Sequence, residues 1–75
     1  MSTVKTSEEI GCPLSPRELD CAKAMLDAKT YTHAAEMLGI GRKTVCYHLT
    51  NARKKVKVHS TTLLLIRCME EGWFK

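Results

Sequence analysis

Gly39 and Gly41 stand either side of Ile40 between two runs of helically spaced apolar residues, and this punctuation constrains the chain more than any other feature. Glycine enters the left-handed conformation that closes a helix without a Cβ penalty, so Gly39 marks the end of one helix. Before it, Thr30 is a candidate cap, and Ala34, Ala35 and Leu38 form a short apolar stripe. That pattern predicts a helix of barely two turns. Beyond Gly41, Val45, Leu49, Ala52 and Val56 recur at i, i+4, i+7 and i+11, with neither Gly nor Pro until at least Lys57, which predicts a longer helix. Ile40 is expected to bury itself in the turn between them.

The flanking segments carry the same kind of signal. In Leu14-Ser15-Pro16-Arg17-Glu18, Ser15 can cap a helix, Pro16 suits its first position, and Glu18 completes a capping box. Leu14 can staple onto Leu19, and Leu19, Ala22, Met25 and Leu26 extend the apolar spacing, predicting a helix from Pro16 to Ala28. A last helix fits Thr61 to Glu71, capped by Ser60 and closed by Gly72. The alternation that marks strands is missing, so the expected fold is all-α with four helices. A chain of 75 residues makes one small domain. Residues 1–12, polar and aperiodic, read as a flexible lead-in, and residues 13–75 as the domain proper.

Charge is distributed unevenly. Residues 1–36 hold four basic against six acidic side chains, net −2, and residues 37–75 hold eight against two, net +6. No acidic residue lies between Met37 and Met69, whereas Arg42, Lys43, Arg53, Lys54, Lys55, Lys57 and Arg67 all do. Such a field suits a polyanionic partner. The longest run of large aliphatic residues, Leu63 to Ile66, is far short of the roughly 20 residues that cross a bilayer, and residues 1–12 lack a secretory apolar core. The expected setting is therefore cytoplasmic, without membrane contact. Cys12, Cys21, Cys46 and Cys68 are widely and irregularly spaced, which favours reduced thiols over a disulfide framework or a zinc site shared with His33, His48 and His59. No acid–base pair, phosphate loop or metal cluster appears, so neither an enzyme nor a bound cofactor is expected.

The third helix has two distinct faces. At 100° per residue, Val45, Leu49, Ala52 and Val56 share its inner side, while Lys43, Cys46, Tyr47, Thr50 and Lys54 line the other. A short helix, a tight turn and a longer basic helix form the helix-turn-helix pattern, whose second helix enters the major groove of DNA. Cys46, Tyr47 and Thr50 would then meet base edges. Lys43 and Thr44 lie at the helix start, where free N–H groups favour a phosphate, and Arg53, Lys54 and Lys55 are read as further phosphate contacts. Tyr47 is the best single specificity residue, offering a ring edge to a thymine methyl and a hydroxyl to a base or phosphate.

The sequence also resembles the LuxR/GerE-type DNA-binding domains of bacterial transcription regulators. Leu14-Ser15-Pro16-Arg17-Glu18, Ala35 with Leu38-Gly39-Ile40, Lys43-Thr44-Val45 with His48, and Val58 followed by Ser60 and Thr62 carry the likeness across residues 14–74. It implies a four-helix domain with a third-helix reader and a fourth helix that pairs two copies on an inverted repeat. Residue by residue, it places Cys46, Tyr47 and Thr50 opposite bases and Lys43, Thr44, Asn51 and Lys54 nearer phosphates. It also implies that Arg17 and Glu18 tie the first helix to its neighbours. Five positions depart from the pattern: His33 replaces a common Glu, Gly41 a Ser or Thr cap, and Lys57 a common Gly, which implies positive φ at Lys57, while Cys46 and Thr50 stand where relatives often carry charged or amide side chains able to make bidentate base contacts.

The fourth helix carries more apolar surface than one core stripe needs. Leu64, Leu65 and Cys68 can face inwards, leaving Leu63, Ile66 and Met69 outside as a candidate dimer interface. The expected function is a sequence-specific duplex-DNA-binding transcription regulator acting as a homodimer. The alternative is a stand-alone interaction protein that binds and modulates a larger transcription regulator through its last helix. Seventy-five residues leave no room for a sensing domain, which fits either a free-standing effector or an excised carboxy-terminal module.

Overall fold

The computed structural model describes residues 12–74, and residues 1–11 of the expected lead-in lie outside them. Four helices follow in order: α1 (Pro16–Ala24), α2 (Tyr31–Leu38), α3 (Arg42–Val56) and α4 (Thr61–Glu71). The domain is all-α. Each start reflects a local sequence signal. Ser15 Oγ accepts the Glu18 N–H at 3.2 Å while Glu18 Oε1 accepts the Ser15 N–H at 2.8 Å, completing the capping box. Thr30 and Ser60 cap α2 and α4 by accepting from His33 and Leu63, at 3.1 Å each. Gly41 caps α3 in extended conformation without a side-chain bond.

The ends of α2, α3 and α4 share one device. Gly39, Lys57 and Gly72 each turn left-handed, at φ 68°, 60° and 73°. The N–H of the following residue then reaches back five positions, Ile40 to Ala35 at 3.1 Å, Val58 to Arg53 at 3.0 Å and Trp73 to Cys68 at 2.9 Å. These are Schellman closures, which satisfy carbonyls that the helix leaves unpaired and fold the next apolar residue onto the core. Ile40, Val58 and Trp73 accordingly pack against it, as the turn position of Ile40 predicts.

α1 ends earlier than its apolar spacing suggests. Beyond Ala24 the Leu26 and Asp27 N–H groups bond three residues back, to Lys23 and Ala24, rather than four. This tightening changes the angular step per residue and leaves Leu26 exposed instead of in the inward stripe, although Ala28 still reaches the core. Cys12 is also buried in the core cluster, one residue before the expected start of the domain.

The core is small and combines three leucines with many small residues. Leu14, Cys21, Ala22, Ala34, Val45, Leu49, Ala52, Leu64 and Cys68 are almost fully enclosed. α3 sits at the centre, packed against α1, α2 and α4, so its inward face is fixed from three sides. Alanines at Ala22, Ala34, Ala35 and Ala52 allow this close approach. Two polar ties cross the packing: the Tyr31 hydroxyl meets Thr61 Oγ1 at 2.7 Å, joining the start of α2 to the start of α4, and Lys55 Nζ donates to Glu18 Oε1 at 2.9 Å, joining α3 to α1. Glu18 thus ties the first helix to a neighbour, as the family resemblance implies. Among the described residues Arg17 does not: it lies exposed and pairs with Asp20 of its own helix, at 3.9 Å.

Candidate nucleic-acid interface

The rotation of α3 follows from its apolar side. Val45, Leu49 and Ala52 are fully enclosed and Val56 nearly so, which turns the opposite side of the helix away from the described core. Lys43, Thr44, Cys46, Tyr47 and Lys54 are exposed there, and Thr50, Asn51 and Arg53 are half-buried along its edges. Tyr47 is 64% exposed, so it does not fold back into the core. Its ring meets His48 edge-on, with centroids 5.5 Å apart and planes at 64°, a favoured aromatic geometry that steadies an otherwise exposed side chain.

Not every basic residue of the acid-free segment faces outwards unopposed. Lys55 is held by Glu18 on the flank of α3 nearest α1, with its side chain still 43% exposed. Arg67 pairs with Glu71 at 3.2 Å along α4. No carboxylate among the described residues pairs with Arg42, Lys43, Arg53, Lys54 or Lys57, so the uncompensated charge is concentrated on α3 and its two ends. The Lys55 pairing spans 37 residues, and no local pattern signals it. A second link was open to reading from its i, i+3 spacing: Arg53 Nη2 donates to Thr50 Oγ1 at 3.3 Å.

The start of α3 points the same way. Gly41 leaves the first N–H groups without a side-chain acceptor, at the positive end of the helix dipole beside Arg42 and Lys43. An anion is favoured at such an end. The thiols contrast with one another: Cys12, Cys21 and Cys68 are buried and Cys46 is exposed, with no disulfide among them. Burial raises the Cys21 thiol above its ordinary value and pushes Cys68 up to about 11, helped in the latter by nearby Cys12. Among the described residues no three His, Cys, Asp or Glu side chains are grouped to hold a metal ion, and no helix is long and apolar enough to cross a membrane.

A short helix turned through Gly39 and Gly41 into a longer helix whose outer side is cationic, with α1 and α4 bracing it, defines a helix-turn-helix domain. Comparison with known families makes this specific: residues 12–68 match the model described as bacterial regulatory proteins, luxR family, and the chain belongs to that family. Among individual proteins it is similar to the HTH-type quorum sensing-dependent transcriptional regulator VjbR of Brucella ovis and of Brucella abortus. Each is 32% identical over 68 residues, covering 91% of this chain. The chain spans only 26% of the length of those relatives. No solved structure gives a significant match.

Proposed function

We propose that this chain is a sequence-specific, non-enzymatic transcription regulator that lays α3 in the major groove of duplex DNA and binds as a dimer paired through α4. The observation that carries this reading is the outer side of α3, which is exposed, cationic and without an opposing carboxylate among the described residues. Cys46, Tyr47 and Thr50 face base edges, and Lys43, Thr44, Asn51, Arg53 and Lys54 lie nearer phosphates. The similarity to transcriptional regulators of Brucella supports the assignment. Two-fold pairing through Leu63, Ile66 and Met69 gives half-sites about one helical turn apart.

Fluorescence anisotropy on a duplex selected from a random pool, and on its scrambled counterpart, tests this. Affinity falls steeply with salt, Tyr47→Ala loses preference for the selected sequence, and Lys54→Ala weakens both duplexes alike. Absence of binding at low salt refutes it.

One observation favours a second reading, in which α4 docks on a larger regulator. Leu63, Ile66 and Met69 are 49%, 41% and 55% exposed, an apolar face on a domain this small. Co-elution with a candidate regulator on a sizing column, without duplex binding, supports that reading against the first.

A further inference from the structure

Sequence discrimination in the major groove relies on side chains that can form two parallel hydrogen bonds with one base, and none of Cys46, Tyr47 and Thr50, the residues proposed to face bases, is one of them. Cys46 and Thr50, on the side where bases are met, have a thiol and a hydroxyl. The guanidinium of Arg53 can form such a pair, through donors matched to the O6 and N7 acceptors of guanine.

By helical angle alone Arg53 sits on the flank of α3, where a phosphate contact is the ordinary expectation. Its contact changes that placement. Side chains of a helix lean toward its N-terminus, and Arg53 Nη2 reaches back one turn to Thr50 Oγ1 at 3.3 Å. The guanidinium therefore lies over the turn of Thr50, on the Thr50 side of the flank, with Arg53 half-buried. No carboxylate among the described residues pairs with it. Thr50 accepts one N–H and leaves four for other partners, and holding the plane in advance lowers the ordering cost of a later contact.

We infer that Arg53, positioned by the Thr50 hydroxyl, is a specificity-determining residue that reads a guanine, and that Thr50 acts through Arg53 rather than as an independent base contact. This rests on the DNA-reading function proposed above and revises two of its residues. The ligand class is a G·C pair presented in the major groove of duplex DNA.

Selection from a randomised duplex pool with the full chain, followed by anisotropy on single-base variants of the winning site, tests the assignment. The wild-type chain enriches a guanine that Arg53→Lys no longer prefers, with discrimination at that position falling roughly ten-fold or more and affinity for a scrambled duplex almost unchanged. Thr50→Val gives a smaller loss at the same position and no other. Circular dichroism on both variants verifies the fold, and Arg53→Gln, neutral but planar, provides a second probe of the same position. If Arg53→Lys and Arg53→Gln keep the wild-type motif and lose affinity evenly across sequences, Arg53 is a phosphate anchor and the inference fails. If the wild-type chain enriches no motif at all, the underlying function fails with it, so the two failures are separable.

Discussion

Glu18 and Lys55, separated by 37 residues in the chain, meet at 2.9 Å, and the Glu18 oxygen that receives the ammonium also receives the Ser15 N–H. One carboxylate, only 4% exposed, therefore caps α1 and fixes α3 against it. Because the rotation of α3 decides which side chains face outwards, a residue of the first helix helps to set the candidate interface on the third.

That dual role makes Glu18 more sensitive than an ordinary surface acid. Glu18→Ala removes the reciprocal half of a capping box and a charge-assisted bond, so it costs about 2–3 kcal/mol in urea unfolding. Lys55→Ala leaves the buried carboxylate with its Ser15 bond but no cation, a loss of about 1–2 kcal/mol, while duplex affinity stays within two-fold. Lys54→Ala gives the reverse pattern, because its side chain is exposed and has no carboxylate partner among the described residues. Equal losses of affinity in both lysine variants would contradict the division between them.

Lys57 is the only described non-glycine residue with positive φ, at 60°, and it closes α3 where Gly39 and Gly72 close α2 and α4. A Cβ in this conformation costs about 1–2 kcal/mol, offset in part by the greater chain entropy that glycine loses on folding. Lys57→Gly is therefore expected to stabilise the domain by about 0.5–1 kcal/mol, seen as a rise of several degrees in thermal midpoint. Lys57→Val, β-branched and unsuited to the same φ, lowers the midpoint. A fall in the glycine variant would mean that the lysine side chain contributes a stabilising contact at this site.

The contrast between these closures shows how far the sequence could be read. Gly39, Gly72, Thr30, Ser60 and the Ser15–Glu18 box act locally, so the bounds of α2 and α4 and the start of α1 follow from residue type alone. The four inward residues of α3 are equally legible, since one stripe of period 3.6 determines both faces. The early end of α1 was not legible, because a tightened turn at Met25 to Asp27 replaces helical bonding without any Gly or Pro to announce it. Charge was read as composition, and composition does not reveal that Glu18 claims Lys55 across the core or that Thr50 holds Arg53.

The thiols give a chemical test of the packing. Cys12, Cys21 and Cys68 are buried and Cys46 is exposed, so brief alkylation of the folded chain at pH 8 modifies one cysteine rapidly, and denaturant releases the other three. The Cys68 thiol ionises near 11 in the folded state against an ordinary value of 9.0, because burial disfavours the thiolate and Cys12 adds to this. Its folded pKa is raised, so its contribution to stability is fully present below pH 9 and is lost as pH rises toward 11. The decline from this one thiol is at most about 1.4 kcal/mol per pH unit. Denaturation of the wild-type chain and Cys68→Ala across that window isolates the contribution, and parallel curves for the two would refute it.

On α4 the inward side chains are Leu64 and Cys68, both fully enclosed, whereas Leu63, Ile66 and Met69 remain 49%, 41% and 55% exposed on the other side. Three large apolar residues at i, i+3 and i+6 form a continuous ridge, and a second copy laid across it would remove each from water at about 25 cal/mol per Å² of apolar area. Ile66→Glu places a charge in the middle of that ridge without touching the core. The expected result is a shift from dimer to monomer in sedimentation equilibrium at concentrations where the wild-type chain is paired, with unfolding stability of the monomer changed by less than about 0.5 kcal/mol. Affinity for a single half-site persists, while affinity for a two-fold site falls to the single-site value, because linkage between the two contacts is lost. A wild-type chain that stays monomeric at every concentration, alone and on a two-fold duplex, would assign the ridge to a different partner.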